Sequence, residues 1–315
     1  MKTDFLIILI TGVVSASFCA ALIPLLKKIK AGQYILGYVK EHEKKTGTPT
    51  MGGISFMLAI AFVAIFFNLY SDKRVIVAVV VSLAFMIVGF LDDFIKIRFK
   101  RNLGLKAYQK IIFQLVISIF VGLFCYTNKL TFLNIPFTKL SLNVGVWYIP
   151  LSAVVLIASV NSVNLTDGLD GLAASTSLCY FLTFGILLFL QSCSIQMRLL
   201  CFCSVGALGG YLIFNTNKAS VFMGDTGSLS LGGLIASIAV FTGNLLYIAI
   251  IGIMFVISSI SVILQVIYYK RTKRRIFLMA PLHHHFQKKG YSESKISVVY
   301  SAITIGMGLL CLFFA

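Results

Sequence analysis

"LSAVVLIASVNSVNLTDGLDG", residues 151–171, passes from a nearly unbroken apolar run, Leu151–Val160, into two asparagines, two aspartates and two glycines. The apolar half belongs in a hydrocarbon setting. The polar half does not, because a carboxylate at membrane depth costs about 2.5–3.5 kcal/mol on insertion scales. A chain that joins the two is delivering polar groups to the edge of an apolar layer.

Composition says what that layer is. Of 315 residues, 59% are hydrophobic and only 12% charged, with a mean hydropathy of +0.97. A soluble domain carries about 25% charged residues. A chain so depleted cannot cover itself with polar surface, so lipid is its solvent. A membrane-crossing helix needs about 20 mostly apolar residues. Ten such segments are predicted, near 5–26, 52–70, 75–91, 111–126, 146–163, 171–190, 198–214, 228–242, 245–268 and 296–314. The expected fold is an all-α integral membrane protein, a single polytopic domain over 1–315. The first segment is long for the apolar core of a signal peptide and more spans follow it, so a retained helix is expected. The seven cysteines fall mostly within spans and show no metal-ligand spacing; soft core filling accounts for them.

Ten spans put both termini on one side. Loops 27–50, 92–110, 164–170, 215–227 and 269–295 carry 21 of the 27 Lys and Arg. That bias predicts cytoplasmic loops there and both termini outside. It also explains the formal net charge of +17. No basic face with interleaved aromatics appears, so nucleic-acid binding is not expected. The outer segment 130–145, with weak alternation and Pro136, suits a small hairpin.

The chain has ten acidic residues. Asp4, Glu41, Glu43, Asp72 and Glu293 fall in wet loops or at a terminus. Asp92, Asp93, Asp167, Asp170 and Asp225 all fall where a span meets a loop of the basic set, which points to a shared polar site on the cytoplasmic face. In "GFLDDFIK" (89–96), a continuing helix would place Asp92 and Lys96 on one face. The adjacent Asp93 would repel Asp92 unless a cation sits nearby. Asn161, Asn164, Asp167 and Asp170 recur every three residues, a polar stripe on a helix or 3₁₀ turn. In "NTNKASVFMGDTGSLSLGG" (215–233), Asp225 stands at a helix start whose free N–H groups favour anions. A divalent cation held there would bridge phosphate oxygens, and Phe222 could stack on a ring; plain N-capping is the simpler alternative for Thr226 or Ser228. "KKTGTPTMGG" (44–53) has the wrong order for a P-loop. "MAPLHHHFQKKG" (279–290) has three consecutive histidines, which do not converge on one ion as helix neighbours do not; contacts to a phosphorylated substrate fit better.

"GTPTMGG" (47–53), "LDDFIK" (91–96), "NLTDGLDGLA" (164–173), "FMGDTGSLSLGG" (222–233) and "APLHHHFQKKG" (280–290) resemble, in order and spacing, the motifs of the phospho-N-acetylmuramoyl-pentapeptide transferase (MraY) family. That family lies within the polyprenyl-phosphate N-acetylhexosamine-1-phosphate transferase superfamily. The resemblance runs through essentially the whole chain. It implies transfer of a phospho-sugar from UDP-N-acetylmuramoyl-pentapeptide to undecaprenyl phosphate, giving lipid I and UMP, with Mg²⁺ as cofactor. It further implies a homodimer in the bacterial plasma membrane. Carried over motif by motif, it makes Asp225 the Mg²⁺ ligand and Asp92, with Asp93 beside it, the group that deprotonates or orients the lipid phosphate. Asn164, Asp167, Leu169, Asp170 and Phe222 would form the uridine and adjacent pocket. Lys45, Asn215, His283, His284 and His285 would hold the nucleotide-sugar, with His283 also counted among the catalytic groups. Lys96 and Lys106 would lie near the lipid phosphate.

Two other readings stay open at this level. One is the same chemistry on UDP-N-acetylglucosamine, against which "PTMGG" and the histidine segment argue. The other is a secondary transporter, but its acids would lie near the midplane and its halves would repeat.

Overall fold

The computed structural model describes residues 2–29, 47–99 and 103–314. It is helical almost throughout. The helices are α1 (Lys2–Lys28), α2 (Gly53–Phe66), α3 (Lys73–Arg98), α4 (Ala107–Thr127), α5 (Tyr148–Thr166), α6 (Leu172–Leu190), α7 (Ile195–Asn215), α8 (Gly224–Phe241), α9 (Leu245–Ile251), α10 (Ile253–Thr272), α11 (Leu282–Lys288) and α12 (Glu293–Phe313). Among the described residues nine helices are long and apolar enough to cross a membrane. Whole outward faces of α4, α10 and α12 are apolar and exposed, for example Ile112, Val116 and Phe120 on α4. Soluble proteins do not leave such continuous surface to water. The chain is a multi-pass membrane protein.

All ten expected segments have a helical counterpart, with two differences. Helix α2 has 14 residues, shorter than the segment 52–70. Asn68, left-handed at φ 53°, breaks it, and Leu69–Ser71 continue as a single 3₁₀ turn. The segment 245–268 is two helices, α9 and α10, interrupted at Gly252. The halves pack on different partners, α9 against α12 and α8, and α10 mainly against α5.

Helix α8 is the centre: 89% of its apolar window is buried, against 22% for α1 and α10. Helices α3, α5 and α2 lie on it, α1 pairs with α7, α4 covers α5, and α12 backs α6. Its sequence explains the position. "GDTGSLSLGG" offers almost no side-chain volume on its first turns, so neighbouring backbones come close. From the facing side Gly89 of α3 does the same; a Cβ there would overlap the Asp225 carbonyl. Asp72 starts α3 by accepting the Arg74 N–H at 2.9 Å.

Residues 130–145 form the expected hairpin, β1 (Phe132–Asn134) antiparallel to β2 (Ser141–Asn143). The Asn134 N–H donates to Gly243 O, just past the end of α8. Asp225 lies in the first turn of that helix, so hairpin and acids sit at opposite ends, about 27 Å apart at 1.5 Å rise per residue over 18 residues.

Candidate active site

Helix α3 extends to Arg98, past the last apolar turn, and so carries Asp92, Asp93 and Lys96 on its final turns. The tight α3–α8 contact brings Asp225 beside them. One oxygen from each of Asp92, Asp93 and Asp225 lies within 4.8 Å of the others. Three carboxylates so close would repel one another without countercharge. Lys96 Nζ supplies it, 2.6 Å from Asp92 Oδ2, 3.3 Å from Asp225 Oδ2 and 3.7 Å from Asp93 Oδ1. Lys110, on the first turn of α4, adds a second ammonium 3.0 Å from Asp92 Oδ1 and 2.6 Å from Asp225 Oδ2.

The three acids are not equivalent. Asp92 is fully buried, and its Oδ1 also accepts the Leu105 N–H at 2.7 Å. Asp93 is fixed by Thr226, whose N–H and Oγ1 donate to Oδ2 at 3.0 and 2.7 Å. Asp225 is the most open, its side chain 17% exposed against 0% and 4% for the other two. Its Oδ1 accepts from Asn164 Nδ2 at 2.9 Å, and the same amide reaches Ser228 Oγ at 2.8 Å. A hard, all-oxygen donor set of this kind suits Mg²⁺.

The three-residue stripe divides where α5 ends. Asn161 pairs with Gln114 of α4, donating to Gln114 Oε1 at 2.8 Å. Asn164 faces the acids. Asp167 caps the helix. Burial pushes its carboxyl up to about 8, helped by the negative charges of Asp225, Asp93 and Asp170. Asp170 Oδ2 accepts the Ala219 N–H at 3.1 Å. Asn215 clamps the same turn: its Oδ1 accepts the Gly171 N–H at 3.2 Å and its Nδ2 donates to Val221 O at 2.9 Å. Leu169 is buried beneath the turn in an apolar cluster with Leu172, Met254, Ile296 and Tyr300.

Phe222 is half-buried and held by its backbone. Its N–H donates to Pro49 O and its carbonyl accepts from Gly52, both at 2.8 Å, so the 47–53 segment lies alongside it. Helix α11 brings the histidines to Gly168, where a Cβ would collide with the His283 and His284 rings. His283 is fully buried against Tyr300, with neither ring nitrogen hydrogen-bonded. Burial and the neighbouring His284 hold its pKa well below the usual range, so the ring is neutral at pH 7. His285 points elsewhere, accepting the Leu278 N–H at 3.1 Å. Lys106 is exposed at the start of α4, its ammonium 6.0 Å from the Tyr108 ring centre. Lys45 lies outside the described residues.

The structure thus gathers Asp92, Asp93, Lys96, Asn164 and Asp225 in one cluster, with Asp167, Asp170, Asn215, Phe222, His283 and His284 on the adjoining turns. Sequence reasoning passed over Lys110 in favour of Lys106. A four-residue spacing from Lys110 through Gln114 to Ser118, polar on a mostly apolar helix, was the available signal. It also placed Glu293 in a wet loop, whereas Glu293 is half-buried and bonded to the Asp170 N–H at 2.9 Å.

Residues 75–243 match the family described as glycosyl transferase family 4. The chain is 44% identical over 291 residues to a phospho-N-acetylmuramoyl-pentapeptide-transferase of Clostridium botulinum strain Eklund 17B, covering 92% of this chain and 89% of that protein. It is 41% identical over 304 residues to the protein of that name from Clostridioides difficile strain 630, covering 96% and 92%. With the Bacillus subtilis strain 168 protein it shares 43% identity over 309 residues, covering 96% and 95%.

Proposed function

Because the chain belongs to the phospho-N-acetylmuramoyl-pentapeptide transferase family, we propose that it moves phospho-N-acetylmuramoyl-pentapeptide from its UDP carrier to undecaprenyl phosphate. The products are lipid I and UMP, the first membrane step of peptidoglycan synthesis in the bacterial plasma membrane. The observation that supports this best is the convergence of Asp92, Asp93 and Asp225 around Lys96 and Lys110 at one end of a membrane-spanning bundle. A lipid phosphate and a water-soluble diphosphate can meet only at such an edge. The excess of Lys and Arg in the alternate loops that carry the acids supports a cytoplasmic face for it, the side on which the nucleotide-sugar is found.

In the reaction, an oxygen of the lipid phosphate attacks the phosphorus attached to the sugar. A new P–O bond forms, and the bond to the UMP phosphate breaks. A phosphate nucleophile is largely ionised near pH 7 and needs little help from a base. The work left to the protein is placement and charge neutralisation. Lys96 and Lys110 are the ammonium groups for that work. Asp92 orients them and the lipid phosphate, and Thr226 holds Asp93 in place. Asp225, with Asp93, would hold Mg²⁺, which when bound neutralises charge on the transferring phosphate oxygens. Phe222 stacks on uracil, Asp170 accepts from it, and His283, His284 and Asn215 border the diphosphate and sugar. In this reading the chain works as a homodimer.

UMP release from UDP-N-acetylmuramoyl-pentapeptide, with and without undecaprenyl phosphate and Mg²⁺, tests the reading. Release should require all three. Equal turnover with UDP-N-acetylglucosamine would reassign the sugar. A lipid-independent burst of one UMP per enzyme would replace direct attack by an aspartyl-phosphate route.

A further inference from the structure

We propose that Glu293 is a positioning residue for the nucleotide-sugar subsite: through Gln287 it fixes the ring of His284, and through the Asp170 N–H it holds the turn opposite. This rests on the reading that Asp170 and His284 border the UDP-sugar.

Glu293 opens α12, one residue after its cap, Ser292, which accepts the Lys295 N–H at 3.3 Å. Its Oε2 accepts the Asp170 N–H at 2.9 Å. Its Oε1 accepts Gln287 Nε2 at 3.4 Å. The other end of the Gln287 amide, Oε1, lies 2.9 Å from His284 Nδ1. The direction of this chain follows from its charged end. A carboxylate only accepts, so Gln287 must present its NH₂ to Glu293 and its oxygen to His284. An amide oxygen also only accepts, so His284 carries a proton on Nδ1. Its Nε2, the nitrogen directed at Gly168, is then an acceptor in the neutral ring and a donor in the charged one. The donor state is the one that suits a phosphate or sugar oxygen.

Glu293 therefore links three segments far apart in sequence. Its bond to Asp170 spans 123 residues. The Asp170 side chain continues the link to Ala219, three residues before Phe222. Shifting Glu293 moves both walls of the subsite together, while the carboxylates around Lys96 on α3 and α8 stay where they are.

The experiment is calorimetric titration of the full, detergent-purified chain with UDP in Mg²⁺ buffer, alongside steady-state kinetics with both substrates. Glu293→Gln leaves one acceptor oxygen for two donors: either its NH₂ faces Gln287 Nε2, and that amide turns over and reverses the His284 bond, or it faces the Asp170 N–H, and the opposite turn loses its acceptor. UDP affinity should fall about tenfold, the size of one hydrogen bond to a charged group. KM for the UDP-sugar should rise similarly, while KM for undecaprenyl phosphate stays unchanged. Gln287→Leu should give a comparable loss. The double variant should be no worse than the weaker single one, since both act through one chain. Wild-type UDP affinity in Glu293→Gln, equal shifts in both KM values, or additive losses would each overturn the inference. Failure of the unmodified chain to bind UDP would overturn the nucleotide reading itself, and the inference with it.

Discussion

Asp225 shares its Oδ2 between two ammonium groups, Lys96 at 3.3 Å and Lys110 at 2.6 Å, while Oδ1 takes the Asn164 amide. Neutralising this one carboxylate leaves both lysines with less to hold them and removes the most open oxygen donor of the three. Asp225→Asn should cut turnover at least 100-fold in a UMP-release assay and flatten the Mg²⁺ dependence, with purification yield unchanged. Phe222→Ala should weaken UDP binding by about 1–3 kcal/mol, the range for base–aromatic stacking. Asp167 predicts a pH effect. Its carboxyl titrates near 8 in the folded chain, far above an unperturbed aspartate. A raised folded pKa contributes stability that is complete below the unfolded value and is lost as pH rises through the folded one. The melting temperature should therefore drift down between about pH 5 and 8.5. Asp167→Asn, neutral throughout, should remove that drift. A parallel decline in the variant would assign it to other groups.

Between helices, polar pairing was the hardest thing to foresee. Gln114, fully buried on α4, exchanges amide hydrogen bonds with Asn161 on α5. It sits one turn from Lys110, and Asn161 sits one turn from Asn164, so the pair fixes both cluster members. Gln114→Leu should cost about 0.5–2 kcal/mol in unfolding free energy and lower turnover by loosening Lys110. Adding Asn161→Leu should recover part of the stability but not the turnover, because no buried amide is then left alone. The spans themselves were legible, since hydropathy over twenty residues is a local property. So was the pairing of Lys96 with Asp92, four residues apart on one helix. The break at Gly252 was not, because apolar residues flank it on both sides. Lys110, Gln114 and Glu293 were not, because their partners lie 115, 47 and 123 residues away, and periodicity sees only neighbours. Helix α11 had no apolar run to announce it.

At the scale of the molecule, the acids and the β1–β2 hairpin occupy opposite ends of α8. The sequence assigns 21 of the 27 Lys and Arg to the alternate set of loops that carries the acids, so the acid end should face the cytoplasm. A cysteine introduced at Lys218 in an otherwise cysteine-free chain should resist impermeant maleimide in intact cells and react after permeabilisation. One at Lys139 should react in both. The reverse pattern would invert the topology.

Pro49, Gly52 and Gly53 hold the backbone of Phe222 and Met223 by three hydrogen bonds of 2.8, 2.8 and 3.2 Å. The two segments lie some 170 positions apart, yet neither has its shape without the other, so in descent they form one heritable unit. Gene shuffling with a distant relative should show it: chimeras that import residues 47–53 or 219–227 alone should lose activity more often than those that import both, however conservative each exchange looks by itself.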